Sequence, residues 1–175
     1  MPVAPQRPTL PVVLVLMGVS GSGKTTVARI IADRLDWAFE EGDALHPPAN
    51  VAKMAAGHPL DDDDRAPWLA KVADWVDARL DAGKSGVITC SALKRKYRAL
   101  IDRRGHGVEF VFLHGSPELV ARRLATRQGH FMPSSLLASQ FETLEEPTAD
   151  EPVIRVEIGA TPDAIADDVL AALGL

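Results

Sequence analysis

Between residues 18 and 25 the chain reads GVSGSGKT: a glycine, four residues, then Gly-Lys-Thr, directly behind the apolar run VVLVLM. A glycine-rich turn between a strand and a helix can leave its lysine merely exposed. The same pattern also builds a P-loop, in which backbone N–H groups wrap phosphates, Lys24 reaches the terminal ones and Thr25 ligates Mg²⁺. The context favours the P-loop, because a strand pattern precedes it and TTVARIIADRL follows with helical spacing. Gly18, Gly21, Ser22, Gly23, Lys24, Thr25 and Thr26 are the expected cradle for a nucleotide's phosphates.

A phosphoryl donor needs a partner, and the acids point to where it sits. Many P-loop proteins hold their metal with an aspartate ending a later strand. The third strand here ends in Cys90-Ser91, without an acid; Glu41 and Asp43 follow the second strand instead, as E-G-D. Alternating acids at a strand end project near the carboxyl edge of a sheet, where open α/β sheets bind ligands. One can help to orient Mg²⁺ while the other accepts a hydroxyl proton. The competing reading is an acidic loop that caps the next helix.

These groups must be carried by elements that the patterning outlines. Leu10–Met17 reads as a buried parallel strand entering the glycine turn, and Thr26–Leu35 as a helix with Val27, Ile30, Ile31 and Leu35 near one face. Trp37–Phe39 is a short second strand. Pro47-Pro48 opens a helix that Gly57 stops, and HPLDDDDRAP makes a polar loop. Trp68–Leu80 is the clearest amphipathic helix, which makes Trp68 and Trp75 core residues. Strands at 87–90, 108–113 and 153–158 alternate with helices at 94–104, 117–126 and 162–173. Such alternation argues for a parallel sheet covered on both faces.

The 175 residues suit one domain, with 1–10 a proline-rich disordered tail and 11–175 the folded unit. A net charge of −5 lacks the electrostatic footprint of a nucleic-acid binder. The longest wholly apolar run, Val12–Met17, is too short for a membrane span or a signal-peptide core. The one cysteine, Cys90, cannot form an internal disulfide, which suits the cytoplasm, and is expected to serve packing. A small GTPase would carry a guanine-reading Asn-Lys-x-Asp, and no such run occurs.

Five segments in order, GVSGSGKT, EGDALHPPANVAKMAAGHPLDDDDRAPWL, CSALKRKYR, RQGHF and QFETLEEP, together resemble gluconokinases of the small P-loop type. The resemblance runs from about Val12 to Pro152. It implies ATP-dependent phosphorylation of D-gluconate at its 6-hydroxyl. It also implies the α/β fold of shikimate and nucleoside monophosphate kinases: a mostly parallel five-stranded sheet covered by helices on both faces, with a mobile lid at about 123–135.

Gluconate carries one carboxylate and a chain of hydroxyls, so its pocket needs cationic, bidentate donors. Arg65 is the first candidate, and one of Lys94 and Arg95 the second; Arg98 reads as helix surface. The aspartates 61–64 read as a solvated, helix-capping run. Asp43 is the expected acceptor of the attacking hydroxyl's proton, and Glu41 belongs to the metal's water shell. His46 is either a pocket donor or a solvated loop histidine. Arg123 and Arg127, four apart on one helical face, suit closure over triphosphate, with Gly129-His130-Phe131 as hinge, or else form an exposed basic stripe. Sequence leaves the oligomeric state open, a homodimer included.

Overall fold

The computed structural model describes residues 7–126 and 134–175. Arg127, the Gly129-His130-Phe131 hinge and most of the expected lid lie outside the described residues, as do residues 1–6 of the expected tail.

Among the described residues, five strands form one sheet: β1 (Val13–Met17), β2 (Ala38–Glu41), β3 (Gly86–Thr89), β4 (Val108–His114) and β5 (Val153–Glu157). Their spatial order is β2-β3-β1-β4-β5, and every neighbouring pair is parallel. The central β1 has no exposed residue, as expected of a strand with helices over both faces.

Alternation along β1 divides the interior into two cores. Leu14 and Leu16 pack with Val27, Ala28 and Ile31 of α1 (Lys24–Leu35) and Ile165 and Val169 of α7 (Pro162–Leu173). Val13, Val15 and Met17 face the opposite layer, formed by α3 (Asp62–Asp81) and α4 (Arg95–Ile101) through Trp68, Leu69, Val72, Tyr97 and Ile101. The remaining elements are a 3-10 turn (Gly42–Leu45), α2 (Pro48–Ala55), α5 (Pro117–Thr126) and α6 (Ser134–Thr143). No helix among the described residues is long and apolar enough to cross a membrane.

Three expectations need correction. The polar loop before Trp68 is largely helix: α3 begins at Asp62, because Asp61 and Asp64 form a reciprocal capping box. Asp61 accepts from the Asp64 N–H at 2.8 Å, and Asp64 accepts from the Asp61 N–H at 2.9 Å. Pro67 is tolerated inside this helix on its exposed side, where water can take the carbonyl that loses its partner. Secondly, α4 stops at Ile101 rather than at residue 104, in a turn where Gly105 and Gly107 take positive φ. Thirdly, α6 was not foreseen; its apolar residues Leu136, Leu137 and Phe141 give a poor helical stripe, and the helix is held by packing on the first core.

Candidate active site

The strands' carboxyl ends and the elements that follow them surround a cleft of about 840 Å³, lined by the P-loop on one side and by α2 and α3 on the other. The P-loop leaves β1 at Gly18, whose φ of +143° and closeness to the Leu113 carbonyl exclude a side chain: a Cβ there would lie 2.6 Å from that oxygen. Gly21, Ser22 and Gly23 carry the loop into α1, whose N-terminus no side chain caps. Its first-turn N–H groups are thereby an anion site. The buried Ser22 hydroxyl finds no hydrogen-bond partner among the described residues. The Lys24 ammonium donates to the Gly18 and Val19 carbonyls, each at 3.0 Å. Thr26 lines the cleft beside Thr25.

Glu41, ending β2, joins three elements. One carboxylate oxygen accepts from the Thr25 hydroxyl at 2.6 Å and the other from the Thr89 hydroxyl at 2.6 Å. Thr89, at the end of β3, also accepts from the Gly42 N–H at 3.1 Å. Gly42 passes so close to β3 that a Cβ would stand 1.8 Å from the Thr89 carbonyl oxygen, so only glycine fits. The Trp68 indole N–H donates to the Gly42 carbonyl at 2.8 Å. The turn that presents Asp43 to the cleft is therefore pinned from both sides. Thr89 and the Trp68 indole are positioning groups that sequence reasoning did not identify, since neither partner is near in the chain.

His46 stacks on Trp68, with ring centroids 4.0 Å apart and planes 18° apart, and lines the cleft. Burial pushes its imidazole below the ordinary range; the Asp43 charge opposes this and the Arg65 charge reinforces it. Arg65 is only 8% exposed and also lines the cleft. Its guanidinium donates to the Tyr97 hydroxyl at 3.0 Å and stands 5.5 Å from that ring's centroid. Among the described residues no carboxylate is paired with it. A cation buried this far ordinarily has an anionic partner.

The structure separates the other cations. Lys94 turns to Asp62, 3.0 Å away, instead of lining the cleft. Asp62 also accepts from Lys96 and from the Tyr97 hydroxyl. These three donors, Lys96 foremost, hold its carboxyl well below the usual range. The aspartate is thus not merely a solvated cap; it anchors Tyr97, against which Arg65 rests. Arg95 pairs with Asp150 on the outer surface. Arg98, expected on the helix surface, is 2% exposed. It donates to both carboxylate oxygens of Glu151, to the Ala92 carbonyl at 2.8 Å and to the Glu145 carbonyl at 3.0 Å. Cys90 is buried packing, its thiol pushed up to about 12 by desolvation.

At the other end of the cleft, Arg123 of α5 donates to the carbonyls of Ile158 and Ala160, in the loop after β5. Gln140 of α6 accepts from the Ser20 N–H at 2.6 Å and so fastens that helix to the P-loop. With α6 unrecognised in the sequence, Gln140 could not be singled out.

An oxygen-only donor set beside the uncapped α1 suits Mg²⁺, which keeps several waters and takes few protein ligands besides phosphate. Thr25 and Glu41, joined by a 2.6 Å hydrogen bond, are the residues that could hold such an ion.

The family model described as an AAA domain matches residues 13–147. A gluconokinase from Gluconobacter oxydans is 55% identical over 157 residues, covering 90% of this chain and 88% of that protein. The crystal structure of a gluconokinase from Sinorhizobium meliloti superposes with a TM-score of 0.86 at 46% identity, covering 97% and 94% of the two chains. Shikimate kinase from Aquifex aeolicus shares the fold alone, at 16% identity and a TM-score of 0.62, with 93% and 96% covered. With identity at this level over nine-tenths of its length, the chain belongs to the gluconokinase family.

Proposed function

We propose that the protein transfers the γ-phosphoryl group of ATP to the 6-hydroxyl of D-gluconate. The observation that carries the reading is Arg65: a buried guanidinium without a carboxylate partner among the described residues, on the cleft wall facing a P-loop. A substrate carboxylate supplies the missing charge, and a planar, bidentate anion matches the guanidinium fork. Gluconate's far end is then directed toward the P-loop and Asp43.

Phosphoryl transfer asks mainly for positioning and for charge around the migrating group. The α1 N–H groups and Lys24 hold the phosphates, with Lys24 exchanging its loop carbonyls for phosphate oxygens. Thr25 and Glu41 would hold Mg²⁺, which would supply charge neutralisation at the phosphates. Asp43 takes the proton of the 6-hydroxyl as its oxygen bonds to phosphorus and ADP leaves. His46 donates to a hydroxyl of the acceptor chain. Arg123, and Arg127 beyond the described residues, serve the nucleotide end. Lys94 acts through Asp62 and Tyr97 by holding Arg65 in place, rather than by touching substrate.

The test is ADP release with saturating ATP over a panel of gluconate, other sugar acids, neutral sugars, shikimate and nucleoside monophosphates. Gluconate gives the highest kcat/KM; a higher value for any other member overturns the substrate assignment.

A further inference from the structure

Asn50, in the first turn of α2, is 4% exposed and was not among the residues that the sequence suggested. Its amide nitrogen lies 2.9 Å from the Asp64 carbonyl oxygen and 3.2 Å from Nδ1 of His46. A carbonyl oxygen can only accept, so the amide atom facing Asp64 must be the NH₂ group. That group's second hydrogen then points to Nδ1, which must offer a lone pair. A neutral imidazole that accepts at Nδ1 carries its proton on Nε2. Nε2 makes no hydrogen bond to any described residue, while the ring itself lines the cleft.

We propose that Asn50 is a positioning residue that locks His46 in the tautomer with its proton on Nε2, making His46 a one-way hydrogen-bond donor toward an acceptor hydroxyl. The proposal deepens the gluconate-kinase reading and rests on it for the identity of that hydroxyl. A histidine free to exchange tautomers would present a donor part of the time and an acceptor the rest. A fixed donor selects a hydroxyl lone pair at that point of the cleft, as a specificity contact needs. The ring's other restraints agree: Trp68 fixes its plane by stacking, and the groups whose charge reaches it are Asp43 from the 3-10 turn and Arg65 from α3. Protonating Nδ1 would break the Asn50 bond, so the bond itself favours the neutral ring. Asn50 is in turn fixed because Asp64 holds Lys53 of the same α2 at 2.6 Å, tying α2 to the start of α3.

Long-range ¹H–¹⁵N NMR on ¹⁵N-histidine-labelled protein, with His46 assigned by His46→Gln, reads the tautomer directly. The full-length ligand-free protein is expected to show a protonated Nε2 and an unprotonated Nδ1 at pH 8. In Asn50→Ala the two nitrogens should move toward averaged shifts and the His46 titration should move upward. Asn50→Asp should move it further, because a carboxylate accepts from Nδ1–H. In kinetics, Asn50→Ala should raise the gluconate KM by up to about tenfold, the worth of one hydrogen bond, with a smaller change in the ATP KM. A wild-type His46 protonated on Nδ1, or shared equally, overturns the proposal even if the variants do not fold. So does a folded Asn50→Ala protein with unchanged tautomer and titration. Because the spectrum is taken without acceptor, a failure of gluconate turnover would leave this result standing, and the two readings fail separately.

Discussion

At the scale of single residues, the two acids of E-G-D have different neighbours, and the proposed roles follow that difference. Glu41 is engaged by the Thr25 and Thr89 hydroxyls, while Asp43 stands exposed at the cleft on a turn pinned through Gly42. Asp43→Asn keeps the shape and loses the base, so kcat should fall roughly 10²–10⁴-fold with ATP binding retained. Steady-state kinetics beside nucleotide titration checks this, and wild-type kcat at saturation would remove Asp43 from the chemistry. Glu41→Gln should instead raise the Mg²⁺ concentration needed for half-maximal rate. Both acids were legible in the sequence, since strand ends project toward one sheet edge, and so were the P-loop and Arg65. Thr89, the Trp68 indole and Asn50 were not. Thr89 and the Trp68 indole act on groups 26 to 48 residues away, and Asn50 is oriented toward His46 by a carbonyl 14 residues away, relations no local pattern carries.

At the scale of elements, the starts of α5 and α7 follow from their sequence, because proline opens each at its first turn. The start of α3 did not: the aspartates read as a capping run before a helix at Trp68, whereas Asp61 and Asp64 cap one another and the helix begins at Asp62. Arg98 shows a similar reversal. A basic residue in a basic heptapeptide reads as surface, yet its fork closes on Glu151 and two carbonyls, joining the loop after β3 to the segment after α6. Arg98→Met leaves Glu151, whose side chain is 11% exposed, without its partner. Removing one member of a buried pair costs about 3–5 kcal/mol, which denaturant unfolding should register. A loss below 1 kcal/mol would make the pair dispensable. His46 links the 3-10 turn to α3 and imposes a pH dependence of known sign. Its folded value lies below the ordinary imidazole value near 6.5, so the unfolded chain takes the proton first. The stability it contributes is present above that value and is lost as pH falls through the lowered one. Thermal unfolding of wild type and His46→Gln should therefore differ more at pH 8 than at pH 5.

At the scale of the whole molecule, the parallel sheet sets the phosphate loop and the acceptor wall against each other across one cleft. The chain carries −5 overall, yet keeps an arginine buried on that wall. In the proposed reading, that buried charge lets a P-loop kinase fold read a carboxylate. The direct measurement is kcat/KM for gluconate against glucose, which lacks the carboxylate, in wild type and in Arg65→Met. A site built around a buried charged group rejects a ligand that leaves the group unpaired by roughly 10⁴-fold or more. Wild type should show a preference of that order, and Arg65→Met should collapse it, chiefly by losing gluconate. Comparable values for the two sugars in wild type, or a preference that survives in Arg65→Met, would contradict the account.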